Sequence, residues 1–247
     1  MLRLPRIIPR LDVKGPNVVK GICFEGLRVV GKPEDLARKY AEDADELLYI
    51  DTVASLYGRN QLTDLLRRTT DETFIPITVG GGIQSKDDAR RLFDAGADKI
   101  AINTAAIKRP GLIDELASFY GSQAVVISIQ AKRTDSGWEA YAECGRERTG
   151  RDAVAWAVEA VDRGAGELLL TSVDRDGTRR GFDQPLLEAV SSRVSVPCII
   201  CGGAGKREDF GAVKEAHGIA IATCLHYGEL TVQGIRHALG IGESVSA

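Results

Sequence analysis

Short apolar runs alternate along the chain with segments in which apolar residues recur every three or four positions. The runs are RIIPRLD from Arg6, ELLYID from Glu46, FIPITV from Phe74, DKIAIN from Asp98, AVVISIQ from Ala124, ELLLTS from Glu167, VPCIIC from Val196 and GIAIAT from Gly218. Runs of this length and composition read as strands buried on both faces. Between them, PEDLARKYAEDA, SKDDARRLFDAGA and GRDAVAWAVEAVDRGA carry apolar residues at i, i+3 and i+4 and read as amphipathic helices. Eight strand-and-helix units in one chain predict an α/β fold of the (β/α)8 TIM-barrel class.

The two halves resemble each other. ELLYIDTVAS from Glu46 aligns with ELLLTSVDRD from Glu167, and VGGGIQSKDDARRLFDAGA from Val79 with ICGGAGKREDFGAVKEAHG from Ile200, both offset by 121 residues. A constant offset implies a half-barrel repeat, about residues 1–121 and 122–247, within a single domain 1–247. By the same logic the first strand, ending RLDVK, matches the fifth, ending SIQAKR, so Gln130 is the counterpart of Asp12.

A length of 247 residues is ordinary for one α/β barrel. With 32 basic and 35 acidic residues, a net charge of -3 and no long run of one sign, the chain shows no nucleic-acid groove and no polybasic membrane patch. Neither a signal-peptide core nor a membrane span is readable, and a cytoplasmic protein is expected. Of Cys23, Cys144, Cys198, Cys201 and Cys224, Cys198 and Cys201 are spaced as CxxC but lie on one apolar strand, so the five read as small buried thiols rather than disulfides or a zinc site. The three histidines all lie in the last 31 residues, which argues against a metal cluster or a His-based triad. No metal and no cofactor is expected.

In barrels of this type the site lies beyond the C-terminal ends of the strands. Two glycine turns open there, with Gly81 and Gly82 in one and Gly202 and Gly203 in the other, each followed one strand later by a polar tip, Asn103 with Thr104, or Thr223. Bare backbone amides at such turns suit a phosphate, and two matched turns suit a ligand with two phosphates; the plainer alternative is that glycine merely permits tight turns. Asp12 would point into the mouth beside Lys20, Asp51, Thr171, Asp176 and Gly177, the natural general acid or base. At the opposite end Arg6, Glu46, Lys99 and Glu167 stand at strand beginnings with inward parity. Two cations and two anions there require a closed ring of salt bridges, either a plug or a gate.

These residues carry a resemblance. RLDVK, VVKG, TVGGGI, GADKIAINTAA, GSQAVV, TGRD, GAGELLLTSVDRDGT and GGAGK resemble the cyclase subunits of imidazole glycerol phosphate synthase, in the histidine pathway, over essentially the whole chain. The resemblance implies an ammonia-using lyase and cyclase. Its substrate is a bisphosphorylated ribulosyl aminoimidazole carboxamide, and its partner a separate glutaminase subunit whose ammonia enters through a charged gate in the floor. Arg6, Glu46, Lys99 and Glu167 then occupy the gate positions, Asp12 is the first catalytic carboxylate, and Lys20 sits on the loop after strand one.

Three positions depart from the family's pattern. Its second catalytic carboxylate falls on Gln130, its strand-seven serine is Cys201, and Arg10 replaces a small side chain. An amide can position a hydroxyl or ammonia but cannot trade protons. By parity Arg10 points inward, to pair with Asp12, to sit in the ammonia path or to read an anionic group, unless Pro9 turns it away. A paralogue that channels ammonia to a sugar amidotransferase in surface-glycan biosynthesis is the alternative reading, and a single-chain phosphosugar isomerase a third.

Overall fold

The computed structural model describes residues 4–52 and 62–240. The end of the ELLYIDTVAS segment, from Val53, lies outside the described residues, as do the first three residues of the chain. Twelve strands are formed: β1 Arg6–Lys14, β2 Asn17–Ile22, β3 Glu25–Gly31, β4 Leu47–Asp51, β5 Ile77–Gly80, β6 Lys99–Ile102, β7 Val125–Thr134, β8 Gly137–Ala142, β9 Glu147–Asp152, β10 Glu167–Ser172, β11 Cys198–Cys201 and β12 Gly218–Ile221. Eight of them, β1, β4, β5, β6, β7, β10, β11 and β12, pair in that order in parallel, and β12 pairs with β1 to close the barrel. All eight apolar runs read from the sequence form these strands.

Helices alternate with the barrel strands along the chain, including Pro33–Ala41, Lys86–Phe93, Gly111–Tyr120, Ala153–Asp162 and Gln184–Ser191. Local chemistry sets their starts. Ser85 accepts a hydrogen bond from the Asp88 amide at 3.2 Å, and Asp152 accepts one from Ala155 at 2.8 Å, satisfying amides that have no partner inside the helix. The main core lies between sheet and helices and holds Trp156, Tyr49, Phe210 and most of the leucines. A second, smaller cluster fills the barrel itself: Ile8, Leu48, Ala101, Val126, Leu169, Ile199, Cys201 and Ala220. Alternation along each strand separates the two, since Ile7 and Ile8 belong to different cores.

Two strands run further than the apolar pattern predicts. The sequence reading ends strand five at Gln130, but β7 continues to Thr134 as an antiparallel ladder with β8, which pairs in turn with β9. The same happens after Asp12, where β1 continues to Lys14 and pairs with β2, followed by β3. Each half-barrel therefore carries an added hairpin after its first strand. The charged residues that seemed to end the strands lie on these exposed extensions, and their backbone ladder does not need an apolar face.

Candidate active site

The ring across the barrel floor is closed. Arg6 pairs with both Glu46 and Glu167, and Lys99 Nζ lies 3.2 Å from Glu46 and 2.9 Å from Glu167. Thr78 adds a hydrogen bond to the second oxygen of Glu46. The carboxylates are buried, with side chains 2% and 5% exposed, whereas Arg6 and Lys99 keep 24% and 21%. Two buried anions, each held by two cations, escape the cost of an unpaired buried charge. Directly above the ring lies the apolar layer of Ile8, Leu48, Val126, Leu169, Ile199 and Ala220.

Above that layer Arg10 does point inward and is 3% exposed. Pro9 stays in register with Ile221 on β12, so the strand is not shifted. The Arg10 Nε donates to Asp12 Oδ1 at 2.8 Å, and Nη1 reaches Thr171 Oγ1 at 3.3 Å and Cys201 Sγ at 3.4 Å. Its side chain therefore spans from β1 past β12 to β11 and β10. Lys20 Nζ lies 2.7 Å from Asp176 and 3.4 Å from Asp12. The ring of Phe24, from the turn between β2 and β3, faces both cations, 5.5 Å from the Arg10 guanidinium carbon and 5.9 Å from Lys20 Nζ.

These contacts set the protonation states. Burial pushes the Asp12 carboxyl up, but Arg10 and then Lys20 outweigh it and hold Asp12 below the ordinary aspartate value. Burial likewise opposes the charge on Lys20, and Asp176 and Asp12 together keep its ammonium above the usual value. Asp12 is thus an ionised carboxylate, able to accept a proton but a weak base. Burial raises the thiol of Cys201 despite the nearby Arg10, and raises that of Cys144, so neither is a thiolate nucleophile.

Gln130 is paired in register with Thr171 and lines both a cavity of about 230 Å³ shared with Arg10, Asp12 and Lys20 and a cavity of about 370 Å³ shared with Asp51, Gly81, Gly82, Asn103 and Thr104. The second glycine turn, Gly202 and Gly203, meets Asp176, Gly177 and Thr223 around a small space of about 10 Å³, and Gly177 and Thr223 also border an outer cleft of about 610 Å³. Glycine is required at these turns. Gly81 has φ +108°, and a Cβ there would stand 2.4 Å from the Asp51 carbonyl oxygen; Gly203 has φ +106°, and a Cβ would stand 2.1 Å from that of Gly181. Thr104 and Thr223 each begin a short helix, Thr104–Lys108 and Thr223–His226, preceded by residues of nearly the same backbone conformation. The twofold repeat thus extends to the polar tips.

Every site residue named from the sequence lies at the floor or the mouth, but three contributors were missed. Phe24 sits at φ +64° in a hairpin the apolar pattern did not show. Glu143 and Cys144 occupy the corresponding turn between β8 and β9, also at positive φ, and both line the larger cavity. Cys23 and Cys144 share the 121-residue offset, which would have flagged these turns as related.

The model of the family described as "Histidine biosynthesis protein" matches residues 6–231. Curated relatives named "Imidazole glycerol phosphate synthase subunit HisF" include one from Legionella pneumophila, 58% identical over 207 residues, covering 83% of this chain and 98% of the relative. Those from Thermobifida fusca (strain YX) and Caulobacter vibrioides (strain NA1000 / CB15N) are each 48% identical over 95% of this chain, and over 95% and 92% of the relative. The chain belongs to the histidine biosynthesis protein family, and within it to the cyclase subunits of imidazole glycerol phosphate synthase. None of these relatives is named for a surface-glycan pathway, and that reading draws no support from them. Among the described residues no helix is long and apolar enough to cross a membrane.

Proposed function

We propose that the chain, as one domain of two half-barrels, is a cytoplasmic ammonia-accepting lyase and cyclase that acts on a bisphosphorylated ribulosyl aminoimidazole carboxamide beside a glutaminase subunit docked on the barrel floor. The observation that carries this reading is the closed ring of Arg6, Glu46, Lys99 and Glu167 set directly beneath an apolar layer, with Arg10 and Asp12 above that layer. A phosphosugar isomerase has no use for such a ring. Neutral ammonia can enter an apolar layer that charges the ammonium ion a heavy desolvation cost, so the bore favours the nucleophilic form. At the mouth, the Gly81–Gly82 turn with Asn103 and Thr104 holds one phosphate, and the Gly202–Gly203 turn with Gly177 and Thr223 the other. Asp51 lines the cavity at the first turn, and Thr171, fully buried, helps hold Arg10.

Asp12, ionised, accepts the proton that the attacking ammonia must lose. Lys20 neutralises charge developing beside it and is itself held by Asp176. Gln130 orients a hydroxyl or ammonia without exchanging a proton. The reading needs no cofactor. Its test is turnover of the bisphosphate with ammonium salt supplied directly, comparing the natural chain with Gln130→Asp. A second carboxylate should raise the rate, since one general acid or base contributes about 10²- to 10⁴-fold. Silence of both proteins would overturn the assignment.

A further inference from the structure

The apolar layer inside the barrel meets the mouth differently in the two halves. The repeat that pairs Asp12 with Gln130 also pairs Arg10 with Ser128, two residues earlier on each strand. Arg10 is in register with Leu48 and Ser128 with Leu169, both members of the layer, so the two side chains stand at matched places on its upper margin. Arg10 roofs its half. Its Nη1 reaches Thr171 on β10 at 3.3 Å and Cys201 on β11 at 3.4 Å, and Cys201 is itself part of the layer. The space where Cys201 and Ala220 face the mouth holds only about 10 Å³, the least that a single water needs. The other half is walled by small residues, Gly80, Ala101 and Ser128, on the neighbouring strands β5, β6 and β7. There the cavity of about 370 Å³ reaches down to Ile50, Ala101 and Ser128, and Ala101 belongs to the layer. A Cβ on Gly80 would lie 2.8 Å from Ile50 Cδ1 and 3.1 Å from Ala101 Cβ, so any side chain at that position would crowd the place where cavity and layer meet.

We infer that small neutral molecules leave the apolar layer through an outlet at Gly80, Ala101 and Ser128, beneath Gln130, and that Arg10 seals the matching outlet of the other half. A guanidinium held by Asp12, Thr171 and Cys201 resists displacement, because leaving Asp12 would strand a buried charge. A serine in the matched place obstructs far less, and its hydroxyl is the first hydrogen-bonding group beyond the layer. Ammonia then arrives under Gln130 rather than under Asp12, and Ser128 and Gln130 are positioning residues for it. Gln130 and Ile50 border both the 370 Å³ cavity and the 230 Å³ one, so the way on to Asp12 is open. That the passenger is ammonia rests on the proposed function; that only one half has an outlet does not.

The deciding experiment needs no turnover. The full chain carrying Ala101→Cys is treated with methyl methanethiosulfonate, a small neutral thiol reagent, and modification is followed by peptide mass mapping. The introduced thiol should react at least about tenfold faster than Cys201, since access as well as thiolate fraction sets the rate. The charge of Arg10 by itself would speed Cys201, so a slow Cys201 reports closure. Adding Arg10→Val should bring the two rates to within about threefold; the comparison with Arg10 in place stands even if that variant does not fold. Cys201 reacting as fast as the introduced thiol while Arg10 is present overturns the inference. With the glutaminase partner, Ser128→Leu should lower glutamine-driven turnover at least about tenfold relative to ammonium-driven turnover, because an overpacked outlet blocks passage, whereas Ala220→Val on the sealed side should change that ratio less than about twofold. An unchanged ratio in Ser128→Leu, or an equal fall in both variants, also overturns it. Turnover with neither nitrogen source would instead sink the proposed function, while the labelling rates still decide the outlet.

Discussion

Replacing Arg10 by Met removes a guanidinium but keeps much of the side chain's bulk, so it isolates the charge. Asp12 would remain 3% exposed and keep only Lys20, which is 3.4 Å away and nearer to Asp176. Two unit charges about 4 Å apart attract by about 4 kcal/mol at an effective dielectric of about 20, and stripping one partner from a buried pair costs about 3–5 kcal/mol. The pair is buried on both sides, so solvent screening gives no large discount. For a chain of this size a loss of about 3 kcal/mol lowers the Tm on the order of 10 °C. The sign with pH is also set. In the natural chain Asp12 lies below its ordinary value, so its stabilisation is full above the unfolded value of about 4 and is lost only as pH falls through the lower folded one. Without Arg10, burial dominates and Asp12 takes up a proton earlier, which relieves the unpaired charge. Calorimetric scans should therefore show the widest gap between the two proteins near pH 7, narrowing toward about pH 4.5. A gap under about 2 °C at neutral pH, or one of equal size at both, would refute the reasoning.

Lys99→Met leaves Glu46 and Glu167 sharing Arg6 alone; turnover driven by glutamine and the partner subunit should fall at least about tenfold while ammonium-driven turnover stays near the natural rate, and a parallel fall in both would count against the gate. His226, pushed down to about 4 by burial and bonded to Tyr40 and the Arg10 carbonyl, is neutral in the folded chain. Unfolded histidine titrates near 6.5, so about 3 kcal/mol of stability is present above that pH and lost as it falls to about 4; His226→Gln should flatten this dependence, and unchanged melting profiles would exclude it. The double variant Arg10→Met, Gln130→Asp should turn over faster than the product of the single effects, because Arg10, bonded to the register partner of Gln130, is within reach of a carboxylate introduced there. Multiplicative single effects would show that Arg10 and position 130 are uncoupled.

The barrel was legible because its signals are local and repeated: Leu47 to Tyr49 and Leu168 to Leu170 are apolar runs that only a doubly covered strand explains. The charge ring was legible for the opposite reason, since Glu46 and Glu167 break that rule at matched positions. The hairpins after β1 and β7 were not. Their strands carry a mixed pattern, NVVKGI and ERTGRD: the first buries Val18, Val19 and Lys20 in sequence rather than in alternation, and the second is largely exposed and held by backbone pairing. With the hairpins went Phe24 and Glu143, whose places depend on turns at positive φ. Asn103 was found by its place after a strand, but its hydrogen bond to the Tyr141 carbonyl could not be, because that partner lies 38 residues away.

The two departures at the mouth act together. Arg10 and Lys20 balance Asp12 and Asp176, so the cluster is neutral, and Gln130 beside it adds no charge. A carboxylate so fully paired is a poor base, since any proton it accepts must displace Arg10 or Lys20. Arg10 Nε and Nη1 are engaged by Asp12, Thr171 and Cys201, and Arg10 borders the 230 Å³ cavity. A ligand oxygen that accepts from Nη2 would draw the guanidinium from Asp12 and raise its basicity only when the site is filled. The arginine that weakens the resting base would then make its proton transfer conditional on an occupied mouth.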